Sequence, residues 1–157
     1  MFSSIATLRN VVVHSDFNCQ SVIEFAVSVI RVKTYYRLWA LQLRWRESGV
    51  TQDHHVGLID GWLRHIRDVR QKHDAILRKI SDEDQLIDRL CELNVVEQAK
   101  NVCYSTVVQE AWEHGRELSV HGWIYAIKDG LLRDLNVTIS GATEIADAYR
   151  VAVNRPG

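Results

Sequence analysis

The sequence predicts an α/β domain. Two observations carry that expectation. Several segments repeat apolar residues at helical spacing, and after Gly115 the repeat changes to strict alternation. A third observation is permissive: the only proline among the 157 residues is Pro156, so long helices meet no breaker. Helices flanking a few strands define the α/β class.

The elements follow in order. "CQSVIEFAVSVIRV" places Val22, Phe25, Ala26, Val29 and Ile30 on one helical face. "VGLIDGWLRHIRDVRQKH" repeats the scheme with Leu58, Ile59, Trp62, Leu63, Ile66 and Val69, against a polar face of Arg64, Arg67, Asp68, Arg70 and Lys72. Ser81 and Asp84 have the spacing of a capping box opening "DEDQLIDRLCEL". Asn94 and Glu97 make a second such pair before "VVEQAKNVCYSTVVQEAWEHG", which Gly115 closes as a C-cap. "LSVHGWIYAI" then alternates: Val120, Gly122, Ile124 and Ala126 take one side, and His121, Trp123, Tyr125 and Ile127 the other. The turn signal Asp129-Gly130 leads into a second strand, "LLRDLNVTIS".

Composition bounds the partners. Apolar residues are 46% and charged residues 25%, ordinary for a globular chain long enough for one core. A formal charge of −1 suggests neither broad nucleic-acid nor membrane attraction, and no apolar run approaches bilayer length. Cys19, Cys91 and Cys103 are few, odd in number and widely spaced, which fits a reducing, cytoplasmic compartment better than a disulfide framework. The opening "MFSSIATLRN" is Ser/Thr-rich and lacks acids, but its single Arg is thin support for a mitochondrial leader.

One stretch breaks the pattern. "RVKTYYRLWALQLRWRESGV", from Arg31 to Val50, mixes aromatic and arginine residues without a period. On either side of it the text becomes recognisable. "LCELNVVEQAKNVCYSTVVQEAWEHGRELSVHGWIYAIKDGLLRDLNVTISG" (90–141) resembles the C-terminal half of β-class carbonic anhydrases, the fungal members most closely. "NVVVHSDFNCQSVIEFAVSVIRVK" (10–33) is similar to the family's segment between its second and third strands. "QDHHVGLIDGWLRHIRDVRQKH" (52–73) resembles the helical region that follows. The expected organisation is therefore one partial domain over 1–157, family-like at 10–33 and 52–141 and atypical at 1–9 and 34–51.

The resemblance implies a remnant of the β-carbonic anhydrase fold. That fold is a parallel sheet flanked by helices, here with the central first strand missing and the third replaced. It implies a homodimer, or a heterodimer with a longer relative. It implies reversible hydration of carbon dioxide to bicarbonate, with zinc lowering the pKa of a bound water. The family holds zinc through a C-x-D-x-R cysteine on the first strand and an H-x-x-C pair after the third. Neither motif occurs in this chain. Where the family reads something like HIIVCGHYNCGGVKAAL after Lys33, this chain reads TYYRLWALQLRWRESGV.

A permitted codon choice for that text, read in the neighbouring frame, yields the family string with its His and Cys in place. "FSSIATLR" likewise yields VFVHRNIA, similar to the family's text before "NVVVHSD". The sequence thus suggests that both atypical segments are out-of-frame translations. In a strand buried on both faces, Arg37 would be an unpaired charge, and "YYRLWALQLRW" has the alternative of an irregular amphipathic helix with Leu38, Leu41 and Trp45 aligned.

No other constellation replaces the missing one. His54 and His55 are adjacent and diverge. His65 and His73 read as surface histidines, and His114 and His121 straddle Gly115, with His114 satisfied by a helix end. Cys91 and Cys103 lie among apolar neighbours and read as small buried hydrophobes; Cys19 stays open between that role and a ligand. Asp53 and Asp60 read as solvated, and Arg64, Arg67, Arg70 and Lys72, mixed with Asp68 and Asp74, as a solvated face. Trp123, Tyr125, Leu131, Leu132 and Leu135 form an apolar surface open to core packing or dimerisation. No residue is expected in a catalytic, cofactor-binding or metal-ligating role.

Overall fold

The chain is described by a computed structural model covering residues 17–41, 60–126 and 129–155, with 34–41 and 60–63 described by their backbone. Helix α1 (Phe17–Glu24) runs into a π-helical turn, Phe25–Val29. Strand β1 (Thr34–Leu41) follows, then helices α2 (Asp60–Lys72), α3 (Asp74–Leu77), α4 (Glu83–Cys103) and α5 (Thr106–Glu113). Strands β2 (Ser119–Ala126) and β3 (Leu131–Ile139), a 3₁₀ turn (Ala142–Glu144) and helix α6 (Ile145–Val153) complete the order.

Among the described residues the sheet has three strands in the order β1-β2-β3. β1 and β2 are parallel, with Thr34 opposite Ser119 and Leu41 opposite Ala126. The helices α2 to α5 lie between them in sequence, the long crossover that parallel neighbours require. β2 and β3 are antiparallel, so the sheet is mixed rather than wholly parallel. Asp129-Gly130 makes the hairpin turn, Gly130 taking φ +70°, and the expected alternation on β2 holds: Val120, Gly122, Ile124 and Ala126 are buried. A bulge places Gly122 opposite Val137 but Trp123 opposite Asp134. The two extra residues on β3 include Asn136 at φ +58° and turn Leu135 into the core, away from the exposed Tyr125, Leu131 and Leu132 with which its spacing grouped it.

The atypical text from Thr34 to Leu41 is a strand, not the amphipathic helix its leucine spacing allowed. Its Tyr, Trp and Leu residues suit a pleated strand, and β2 offers a ladder along its whole length. Trp45 and the rest of that helical pattern lie outside the described residues.

The first helix buries a different face from the one periodicity selects. Cys19, Ile23, Ala26 and Val27 are in the core, whereas Val22, Phe25, Val29 and Ile30 are exposed, Val29 by 65%. The segment carries apolar residues on more than one side, so spacing offers two faces, and tertiary packing, with the π-helical turn against α5, chooses between them. On α2, Ile66 and Val69 are buried as expected. Leu58 and Ile59 lie outside the described residues, as do the side chains of Trp62 and Leu63.

Helix α4 organises the core, touching all three strands, α2, α3, α5 and α6. Its N-cap is Asp82, whose Oδ1 accepts from the Gln85 amide at 2.8 Å, one residue beyond the expected Ser81. No second helix starts at Asn94. The 21-residue α4 runs through it unbroken, with Asn94 and Glu97 both buried in its middle. A box-like spacing is not a cap when the preceding residues are already helical. α5 ends as expected: Gly115 takes φ +67°, the Gly115 amide donates to Trp112 O and the Arg116 amide to Ala111 O, both at 2.9 Å. This is a Schellman closure.

At Gly122 α4 and the sheet approach closely. A Cβ there would stand 3.0 Å from Val137 Cβ and 3.3 Å from Val95 Cγ1. Neither neighbour is a flexible side-chain end, so Gly122→Ala should destabilise the fold by about 1–3 kcal/mol, the usual penalty of overpacking. A thermal-melting midpoint equal to or above that of the unchanged chain would contradict the close approach.

Candidate functional site

In an open α/β sheet, reacting groups gather beyond the carboxyl ends of parallel strands. Here those ends are Leu41 and Ala126, paired in register. The segments that continue from them, 42–59 and 127–128, lie outside the described residues, and so do His54, His55, Asp53 and Ile127.

The structure places the remaining sulfur and imidazole donors apart. All three cysteines are buried and reduced. Burial pushes the Cys91 thiol up to about 12, helped by the nearby Asp88 and Glu92 carboxylates, and pushes Cys103 up to about 12 as well. They therefore stay protonated, as the small-hydrophobe reading expects, and Cys19 is settled by its burial in the same core. His114, at the C-cap of α5, directs Nδ1 to Glu110 O at 2.7 Å, in keeping with a satisfied helix-end residue. His121 directs Nδ1 to Thr138 Oγ1 at 2.9 Å, and burial lowers its pKa. The two rings thus have separate partners, Glu110 O for His114 and Thr138 Oγ1 for His121. Among the described residues, no group of three or more His, Cys, Asp or Glu side chains is arranged to hold a metal ion. Zinc needs thiolate or free imidazole donors aimed at one point. The described donors do not fit it.

His73 departs from its surface reading. It is 5% exposed and its Nε2 donates to Glu97 Oε1 at 2.7 Å. Glu97, 6% exposed, gathers two further donors: Lys72 Nζ at 2.8 Å on Oε2 and Tyr149 Oη at 2.5 Å on Oε1. Lys72 and Lys100 also stand over the Tyr149 ring, 5.2 and 4.3 Å from its centroid. Burial alone would raise the Glu97 pKa. The hydrogen bonds from His73, Lys72 and Tyr149 outweigh it and bring it to about 2. The cluster ties α2, α3, α4 and α6 together. Sequence reasoning missed it because its members come from three distant segments. The one available signal was Glu97, an acid amid the apolar run of α4.

A cavity of about 780 Å³ lies at the opposite, amino end of β2, lined among others by Lys33, Trp112, Arg116, Glu117, Ser119 and Ser140. Several of its polar groups already have partners within the lining. Lys33 pairs with Glu117 at 2.7 Å, Trp112 Nε1 donates to Leu118 O at 2.8 Å, and the Ser119 and Ser140 hydroxyls meet at 2.9 Å.

The architecture is that of an α/β protein with a helix-covered mixed sheet, and known proteins share it. The Carbonic anhydrase family profile matches residues 43–132, beginning within the atypical stretch. A carbonic anhydrase of Emericella nidulans is 35% identical over 144 residues, which cover 92% of this chain and 62% of the relative. The Coccomyxa β-carbonic anhydrase, solved in complex with acetazolamide, superposes with a TM-score of 0.77 at 31% identity, covering 87% of this chain and 64% of that one. The β-carbonic anhydrase CafA of Aspergillus fumigatus gives 0.72 at 32%, covering 90% and 66%. This chain belongs to the β-class carbonic anhydrases. It spans less than two thirds of the length of these relatives.

The Glu97 cluster sets an acid limb. A carboxyl moved from 4.5 to about 2 is worth roughly 3 kcal/mol of folding stability. Because the folded pKa is the lower one, that stability is fully present above about pH 4.5 and is lost as pH falls through about 2. Denaturant unfolding over that window should show a loss roughly 3 kcal/mol larger in the unchanged chain than in Glu97→Gln. Parallel pH profiles would remove Glu97 as the source.

Proposed function

We propose that this chain is a β-carbonic anhydrase scaffold that does not carry out the family reaction. That reaction, reversible hydration of carbon dioxide to bicarbonate, needs a metal-held hydroxide. The reading rests on the chemistry of the donors among the chain's described residues. Its thiols are sealed in the core, with Cys91 and Cys103 pushed up to about 12, and His73 is committed to Glu97. The sequence contains neither C-x-D-x-R nor H-x-x-C to replace them.

A second reading, a non-catalytic partner that pairs with another copy or with a longer relative, is favoured by two exposed apolar surfaces. Val22, Phe25 and Val29 project from the first helix, and Tyr125, Leu131 and Leu132 from the β2–β3 hairpin. Co-purification with such a relative would support it. A third reading is that an active enzyme is encoded and 34–51 is misread, and the coding DNA across that segment decides it.

The purified chain should contain no stoichiometric zinc by elemental analysis, and stopped-flow carbon dioxide hydration should stay at the uncatalysed rate. Tightly held zinc together with rapid bicarbonate formation would sink the proposal.

A further inference from the structure

Helix α6 is held by unusual means. Only Ile145 and Ala152 of its nine residues are fully buried, and Val151 is 62% exposed. Of the elements named above, it packs on α4, β3 and the preceding 3₁₀ turn. Ala148, Tyr149 and Val153 pack part-buried on the core, and polar contacts add to that packing. Near its middle, Tyr149 Oη donates to Glu97 at 2.5 Å. At its end, Arg89 Nη2 donates to Val153 O at 2.8 Å and Arg155 O at 2.9 Å, while Arg89 Nη1 is held by Glu92 at 2.6 Å. Arg89 thus caps the carbonyl end of α6, where a cation is favoured.

We propose that α6 is a strap that opens and closes as a unit over a stationary core of α4 and the sheet, with Tyr149–Glu97 and the Arg89 clasp as its two catches. Three features favour opening of this helix alone. Its apolar grip is one-sided: Ile145 and Ala152 are buried and Ala148, Tyr149 and Val153 pack part-buried on the core, while Val151 faces solvent, so only part of its apolar surface resists release. Release returns Arg89 and Glu97 to water, and rehydration of charged groups offsets part of the lost bonding. The connection from β3 is uncrowded: a side chain built on Gly141 would meet nothing within 4 Å, and the turn is held locally by the Ser140 amide on Glu144 Oε2 at 2.8 Å. When the strap opens, Lys72 and His73 still hold Glu97, so α2, α3 and α4 stay joined.

Hydrogen exchange of the full chain, followed by mass spectrometry at neutral pH, tests this. Peptides within 145–153 should exchange faster than those of β2, through an opening that leaves β2 protected. Tyr149→Phe removes one charge-assisted bond and should speed exchange of α6 roughly ten- to a hundredfold while β2 keeps its rate. Arg89→Met should speed α6 in the same selective way, independently of the first catch. If α6 and β2 exchange together in the unchanged chain, or if both variants alter them equally, α6 opens only with the whole fold and the strap does not exist. Unchanged α6 exchange in both variants would also overturn it.

Discussion

The carboxylate of Glu97 is the constraint on which the helical layer depends. It sits in the middle of α4, 6% exposed, and three donors from two distant parts of the chain converge on it. A buried acid without partners would take up a proton or force the helix outward. With Lys72, His73 and Tyr149 in place it stays ionised, and the same bonds fix how α2, α3 and α6 lie against α4. The apolar side of α4 does the complementary work. Val95 reaches the sheet over Gly122, and the missing side chain at Gly122 lets helix and strands approach.

This division lets the family fold stand on packing and hydrogen bonding alone. The core of α4, β2 and β3 is drawn from residues 83–139, within the region of family-like text. Its packing needs no metal. The strand beside it is less demanding still, because a parallel neighbour requires backbone groups in register more than particular side chains. Text that departs from the family's can therefore take the position of β1 and still pair with β2 from Thr34 to Leu41. A metal site tolerates no such exchange. It needs specific donors within about 2 Å of one point, and buried thiols scattered through a core do not supply them.

Several local signals in the sequence were faithful because they depend on neighbours along the chain. The Gly115 closure of α5, the Asp129-Gly130 turn and the alternation on β2 are of this kind. The cap of α4 was nearly legible, displaced from Ser81 to Asp82, since either side chain can serve the same free amides. Where an apolar segment has two usable faces, as around Val22 and Ile23, local spacing had no means to choose.

The sequence by itself determined the α/β class, the resemblance to β-carbonic anhydrases and the lack of both zinc-ligand motifs. Each is a property of residue type and order, readable without contacts. Tertiary structure alone decided that Thr34–Leu41 is a strand, that β3 carries a bulge turning Leu135 inward, and that α4 passes unbroken through Asn94. It also decided that His73 and Tyr149, 76 residues apart in number, meet on one carboxylate. Such pairings arise when burial makes an unpaired polar group expensive, and the partner that relieves it is the one the fold brings near, not the one the chain places next.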